Sequence, residues 1–210
     1  MRVRLWRPRL RAVSYTHLGL GSLAGLRRTE LGAGAWIDVL PGWVRGADGL
    51  FEELLTAIPW RAEQRQMYDA MVEVPRLVHT YGVRDPLPHD LIRQAREALS
   101  DHYLAELGER FVTTGCCLYR DGRDSVAWHG DNLGRSRTHD TMVAIVSLGS
   151  PRKLSLRPVG GPTAASFALG HGDLAVMGGS CQRTFQHGVL KTAKPAGPRI
   201  SLQFRPLNVW

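Results

Sequence analysis

Lysine is nearly absent from this chain. Of its 27 Lys and Arg residues only Lys153, Lys191 and Lys194 are lysine, so guanidinium carries almost all the positive charge. Acidic residues are few as well: there are 19, none before Glu30, and the net charge is +8. That balance favours an anionic partner, nucleic acid first. Arginine in place of lysine is also what a GC-rich genome produces without any function. Cysteine is scarce too. Cys116, Cys117 and Cys181 are odd in number and form no CxxC pair, which argues against a disulfide framework or a structural zinc site. The chain therefore reads as intracellular, in the reducing cytoplasm. No apolar run reaches the roughly 18 residues that cross a bilayer, so no membrane partner is expected. Internal repeats are lacking.

What is present fits one globular domain. The chain has 210 residues, 43% hydrophobic and 22% charged, enough for a sizeable core. A monomer is expected. Residues 1–30 stand apart, with Arg2, Arg4, Arg7, Arg9, Arg11, Arg27 and Arg28 and no acid before Glu30. They read as a flexible basic extension able to serve as a nucleic-acid-binding arm. An organelle transit segment or a mis-assigned start codon fits the same composition.

Periodicity divides the remainder at about residue 108. Trp36–Leu40 is a short apolar strand stopped by Pro41-Gly42. Leu50, Phe51, Leu54, Leu55 and Ile58 predict a helix over 48–58, ended by Pro59. Signals are mixed over 60–82. Leu91, Ile92, Ala95, Leu99, Tyr103 and Leu104 predict a helix within 86–108. From 109 onward the period is two, with strands at 110–119, 126–130, 141–148, 153–157, 166–169, 174–177, 184–189 and 199–205. Helices upstream and short strands downstream predict an α+β, mainly β fold: a double-stranded β-helix, or jelly roll, with supporting helices on one face.

The β region holds a metal-ligand set. His129 and Asp131 are i and i+2, so a strand puts both on one face, with Gly130 turned away and Trp128 sent into the core. His187 comes from a different predicted strand. Two imidazoles and one carboxylate, with open positions, select non-haem Fe(II) and leave room for a co-substrate and O2. Other histidines compete less well. His17, His79 and His102 precede the β region, His89 fits a helix cap, and His139 lies in a polar loop. His171 and Asp173 repeat the spacing, but their glycines and flanking strands describe a hairpin turn.

The last predicted strand supplies an anion clamp. Arg199, Ser201, Gln203 and Arg205 share one face, opposite Ile200, Leu202 and Phe204. An edge strand with one wet face has the same pattern. Guanidinium forks pair bidentately with carboxylates, so two arginines suit a diacid. Their Cα atoms lie roughly 20 Å apart at about 3.3 Å per residue, and long side chains close most of that gap. Tyr119 could add a phenol hydrogen bond. Metal ligands followed by an arginine pair point to an Fe(II)/2-oxoglutarate oxygenase.

The pattern resembles the AlkB family of Fe(II)/2-oxoglutarate-dependent nucleic-acid dealkylases. The matching residues are Leu118-Tyr119-Arg120-Asp121-Gly122, Trp128-His129-Gly130-Asp131, Val146-Ser147-Leu148-Gly149, His171-Gly172-Asp173-Leu174, His187-Gly188 and Pro198 to Arg205. Val74-Pro75-Arg76 and Tyr81-Gly82 resemble the family's nucleotide-recognition region. The likeness covers roughly 36–207 and divides the domain into 31–108, helices and nucleotide recognition, and 109–210, the jelly-roll core. It implies Fe(II) on His129, Asp131 and His187. It also implies 2-oxoglutarate with its far carboxylate on Arg199, its metal-bound end near Arg205, and contacts to Tyr119 and Ser201. The implied activity is oxidative dealkylation of N-alkylated bases in DNA or RNA, a repair of alkylation damage. The base would be presented in a single strand or flipped from its stack.

Departures from the family pattern bear on the substrate. Cys117 replaces an Asn two residues before the tyrosine, Ser201 replaces an Asn between the arginines, and Leu133 stands where a base-facing acid is common. Met67 and Tyr68 fall where relatives carry an apolar finger, although core packing explains such a pair equally well. Arg76 and Tyr81 either touch the nucleic acid or are structural. An oxygenase of this fold acting on a protein or small molecule, and a non-enzymatic nucleic-acid binder, are the competing readings.

Overall fold

Strands of small and β-branched residues alternate between two faces, and each face needs its own cover. The computed structural model describes residues 17–67 and 70–209, without the side chains of 65–67, 70–73 and 135. In chain order the elements are β1 (Gly19–Leu20), β2 (Arg27–Gly32), β3 (Ala35–Leu40), β4 (Val44–Arg45), α1 (Ala47–Ala57), β5 (Arg61–Met67), β6 (Ala70–Tyr81), α2 (Asp90–Leu107), β7 (Thr113–Tyr119), β8 (Val126–His129), β9 (Val143–Gly149), β10 (Arg152–Pro158), β11 (Ala165–Leu169), β12 (Asp173–Gly179), α3 (Cys181–Thr184), β13 (Phe185–Val189) and β14 (Arg199–Arg205).

Two antiparallel sheets face each other. The larger has the order β2-β3-β12-β9-β14-β7-β6-β5, the smaller β11-β10-β13-β8. Between them lies one core, with Val143, Ile145, Leu154, Leu156, Leu169, Met177 and Phe185. The outer face of the larger sheet carries α1 and α2 over a second core of Leu50, Leu54, Ile92, Leu99, Val146, Leu148, Leu202 and Phe204. This is the expected double-sheet fold with helices on one face. Among the described residues no helix is long and apolar enough to cross a membrane.

Local chemistry sets the helix ends. His89 caps α2, its Nδ1 accepting the Leu91 backbone N–H at 2.9 Å. Gly108 ends the helix in the left-handed region at φ 76°.

Three expectations change. Residues 17–30 do not form a free extension: β2 is an edge strand paired with β3, and Arg28 bonds Asp38 and Glu106. Residues 1–16 lie outside the described residues. The mixed segment 60–82 is a long hairpin, β5 against β6. Pro75 falls where the register shifts between the Ala62–Leu77 and Gln64–Glu73 pairs, so its missing N–H interrupts no ladder bond there. Trp128 does not enter the core. It is half-buried on the outer face of the small sheet, with the Arg157 guanidinium 4.5 Å from the ring centroid. A strand in a two-layer sandwich buries one face only, and here the histidine side takes it.

Edge β14 is also excluded. The strand pairs with β7 on one side and β9 on the other. Its polar face is therefore turned into the sandwich.

Candidate metal centre

Neighbouring strands bring the ligands together. β8 and β13 are antiparallel partners, and His129 sits directly across from His187. Asp131 follows two residues beyond β8 and is buried. Gly130 makes that approach possible, since a Cβ there would lie 2.7 Å from the Gln182 carbonyl and 3.3 Å from that of Phe185. One ligand atom from each of His129, Asp131 and His187 lies within 4.8 Å of the others. No other group of three His, Cys, Asp or Glu residues gathers in this way among the described residues.

Neighbouring groups orient the ligands. His129 Nδ1 lies 2.8 Å from the Ala127 carbonyl, which can only accept. Nδ1 therefore carries the proton and Nε2 presents its lone pair, 3.8 Å from Asp131 Oδ1. Arg205 Nε donates to Asp131 Oδ2 at 2.8 Å. The Asp131 backbone N–H donates to Gln182 Oε1 at 3.1 Å. Sequence reasoning missed Gln182, because nothing in its local pattern shows that the turn folds back onto it.

Burial governs the titration of this cluster. It lowers the His187 pKa to about 3, helped by the neighbouring His129, and it lowers that of His129. Both rings are thus neutral near pH 7, the form that binds metal. Burial alone would raise the Asp131 pKa, but Arg205 and the two imidazoles outweigh it and hold the carboxyl well below the usual range.

His129 and His187 open onto a cleft of about 480 Å³ counted with its open mouth. Its walls include Tyr119, Arg199, Ser201, Gln203 and Arg205, the polar face read from the sequence. Arg199 is 1% exposed, and its Nε donates to Ser147 Oγ at 2.9 Å. Arg199 Nη1 is buried without a partner. A buried cation with a free donor calls for an anionic acceptor. Tyr119 lies beside it, 5.2 Å from ring centroid to guanidinium, and burial pushes its phenol pKa up to about 12. The phenol keeps its proton and can donate it in a hydrogen bond.

The remaining expected site residues divide. Arg76 lines the cleft, with Nη1 donating to the Ser125 carbonyl at 3.3 Å and Nε buried without a partner. Tyr81 is not brought to the cleft. It is buried in the helix-facing core against the His79 ring, because the alternation of β6 sends it to the other face from Arg76. Tyr68 lies outside the described residues, and Met67 is placed only as the backbone end of β5. Leu133 is 66% exposed, two residues beyond Asp131. His171 serves the turn, its Nδ1 accepting the Gly149 N–H at 2.8 Å.

A model of the 2OG-Fe(II) oxygenase superfamily matches residues 39–205. The chain is 31% identical over 193 residues to alpha-ketoglutarate-dependent dioxygenase alkB homolog 3 of Bos taurus, a match covering 80% of this chain and 65% of that protein. It thus spans about two thirds of the length of that relative. It is 29% identical over 132 residues to the DNA oxidative demethylase ALKBH2 of Arabidopsis thaliana, covering 52% of this chain and 42% of that one. Among solved structures, OsALKBH1 superposes with a TM-score of 0.58 at 16% identity, over 85% of this chain and 99% of that one. A prolyl hydroxylase from Trichoplax adhaerens gives 0.55 at 10% identity, over 80% and 83%. At those identities the structures speak for the fold alone.

Proposed function

The chain belongs to the 2OG-Fe(II) oxygenase superfamily, and from that membership we propose that it is an Fe(II)- and 2-oxoglutarate-dependent dioxygenase that oxidatively dealkylates N-alkylated bases in DNA or RNA. The observation that carries the reading is one cleft lined by His129, His187 and the buried, half-partnered Arg199, with Asp131 beside the two imidazoles. The donor set suits Fe(II) with positions left open. The free Nη1 of Arg199 suits a carboxylate. The names of relatives, AlkB homolog 3 and DNA oxidative demethylase, support nucleic acid as the substrate class.

In this reading each side chain has a task. His129, Asp131 and His187 hold the metal, and Arg205 fixes the Asp131 carboxylate by its second oxygen, leaving Oδ1 as the ligand. Arg199 takes the far carboxylate of 2-oxoglutarate, and Tyr119 donates to the same co-substrate. Arg205 lies at the metal end, and Ser201 lines the wall between the two arginines. When bound, the metal would supply the oxidising power for hydroxylating the N-alkyl carbon, at the cost of one O2 and of 2-oxoglutarate converted to succinate and CO2. The hydroxylated group then leaves the base as an aldehyde. Val143, Ile145, Leu154 and Val189 give the cleft apolar walls. Arg76, at the cleft and partly free, faces the incoming nucleotide. The base must leave its stack to reach the metal, and a damaged base does so at lower cost.

One assay tests the whole reading. Protein supplied with Fe(II), 2-oxoglutarate and a methylated single-stranded oligonucleotide should yield succinate and repaired base in equal amounts. Succinate without repair would remove the nucleic-acid part, and no succinate from folded, iron-loaded protein would remove the enzyme.

A further inference from the structure

The cleft floor between the two arginines is filled by a side chain that neither the metal nor the proposed co-substrate explains. Gln203 faces inward from β14 and is 8% exposed. Its amide folds back along its own strand, Nε2 donating to the Ser201 carbonyl at 3.0 Å and to Ser201 Oγ at 2.7 Å. Its Oε1 faces Cys117 Sγ at 3.8 Å across the sheet. Both amide protons are therefore taken up within the protein, and the group offers no donor to a diacid. It acts through its volume and its fixed position.

Room for that position comes from β7. Gly115 is the register partner of Gln203. A Cβ on Gly115 would lie 2.9 Å from Gln203 Oε1 and 2.8 Å from Arg205 Nη1. Both long side chains thus cross the bare Cα of one glycine. Glycine inside a strand marks such an approach. Cys117 and Ser201, the flanking pair in the same register, are small and leave the amide its space.

We propose that Gln203, seated over Gly115 and bonded to Ser201, is the ruler of the co-substrate cleft and restricts it to five-carbon 2-oxo diacids. The inference rests on the 2-oxoglutarate reading of this site. A longer diacid spanning from the metal end to Arg199 must bow toward the floor, and the amide blocks that path. Removing the amide opens it. One methylene in a fitted pocket is worth about 10- to 200-fold in discrimination.

The test is calorimetric binding of 2-oxoglutarate and 2-oxoadipate to Mn(II)-loaded protein under anaerobic conditions, which needs no turnover. The unaltered protein should prefer 2-oxoglutarate by about tenfold or more. Gln203→Ala should reduce that preference at least fivefold by improving 2-oxoadipate binding. Gln203→Met, which keeps the volume without the hydrogen bonds, should retain the preference and shows that a folded, loaded site responds to bulk. Gly115→Ala should weaken both diacids by displacing Gln203 and Arg205. An unchanged preference in Gln203→Ala overturns the ruler while leaving the co-substrate site intact. Failure of the unaltered protein to bind either diacid overturns the co-substrate reading itself, and the ruler with it.

Discussion

Single residues set how the site meets acid and metal. The unfolded chain protonates its histidines at about 6.5, whereas buried His187 resists protonation until about 3 and His129 is lowered as well. Falling pH therefore feeds protons to the unfolded state first, and stability drops across that window by roughly 1 kcal/mol per pH unit through buried His187, with a smaller share from the partly exposed His129. Asp131, held low, contributes stability above the ordinary carboxylate pKa of about 3.9 and loses it only below. Between pH 7 and 5 the histidines act alone. The melting temperature of metal-free protein should fall over that range, and His187→Gln should flatten the fall; an equal slope would show that His187 is not buried neutral. Metal affinity separates ligand from support. Orienting partners of ligands are worth about 10- to 100-fold, so Gln182→Ala should cost that much in metal affinity, while His187→Ala should cost more and abolish succinate release. Full activity in His187→Ala would remove it from the ligand set. His129 and Asp131 were legible because strand period puts i and i+2 on one face. Gln182 was not, because its contact exists only once the Gly130 turn packs against α3.

Elements explain which parts of the pattern could be read. β14 declared itself through strict alternation, and its seven residues match the expected span. The same alternation hid which of two environments its polar face meets, since an edge strand and a cleft wall look alike in sequence. Only its place between β7 and β9 decides for the wall. β5 and β2 escaped notice for a shared reason. Arg61-Ala-Glu-Gln-Arg-Gln-Met and Arg27-Arg-Thr-Glu-Leu-Gly are polar edge strands of the large sheet, so burial imposes no period on them. Trp128 misled because the sandwich buries one side of β8, not both. Two substitutions probe the elements. Arg199→Met leaves β14 paired on both sides but removes the buried guanidinium. Hydrogen bonds to charged groups are worth about 1.5–3 kcal/mol, so the KM for 2-oxoglutarate should rise about 10- to 100-fold. An unchanged KM would mean the diacid is held elsewhere. Leu99→Ala, on the fully buried face of α2, should cost about 2–5 kcal/mol in denaturant unfolding through the cavity it leaves. Its 2-oxoglutarate KM should stay put, because Leu99 packs on the far side of the large sheet from the cleft.

Charge belongs to the whole molecule. Many arginines of the described part are held in ion pairs, among them Arg28 with Asp38 and Glu106, Arg93 with Asp90 and Glu97, and Arg205 with Asp131. The net charge of +8 nevertheless acts at long range. Arg2, Arg4, Arg7, Arg9 and Arg11 add five positive charges with no acid among the first 16 residues. If these arginines neutralise phosphates, each releases condensed counterions and steepens the salt dependence by about 0.7 for a single strand. Oligonucleotide affinity should then fall linearly on a log–log plot against salt. Removing residues 1–16 should flatten that line by as much as about 3.5. The same truncation should leave 2-oxoglutarate binding unchanged, since every residue of the cleft lies beyond Arg76 or at it. An unchanged slope would mean that the arginine-rich start contributes nothing to oligonucleotide binding, and the phosphate-neutralising charge that the proposed function needs would have to be sought around the cleft, beginning with Arg76→Gln.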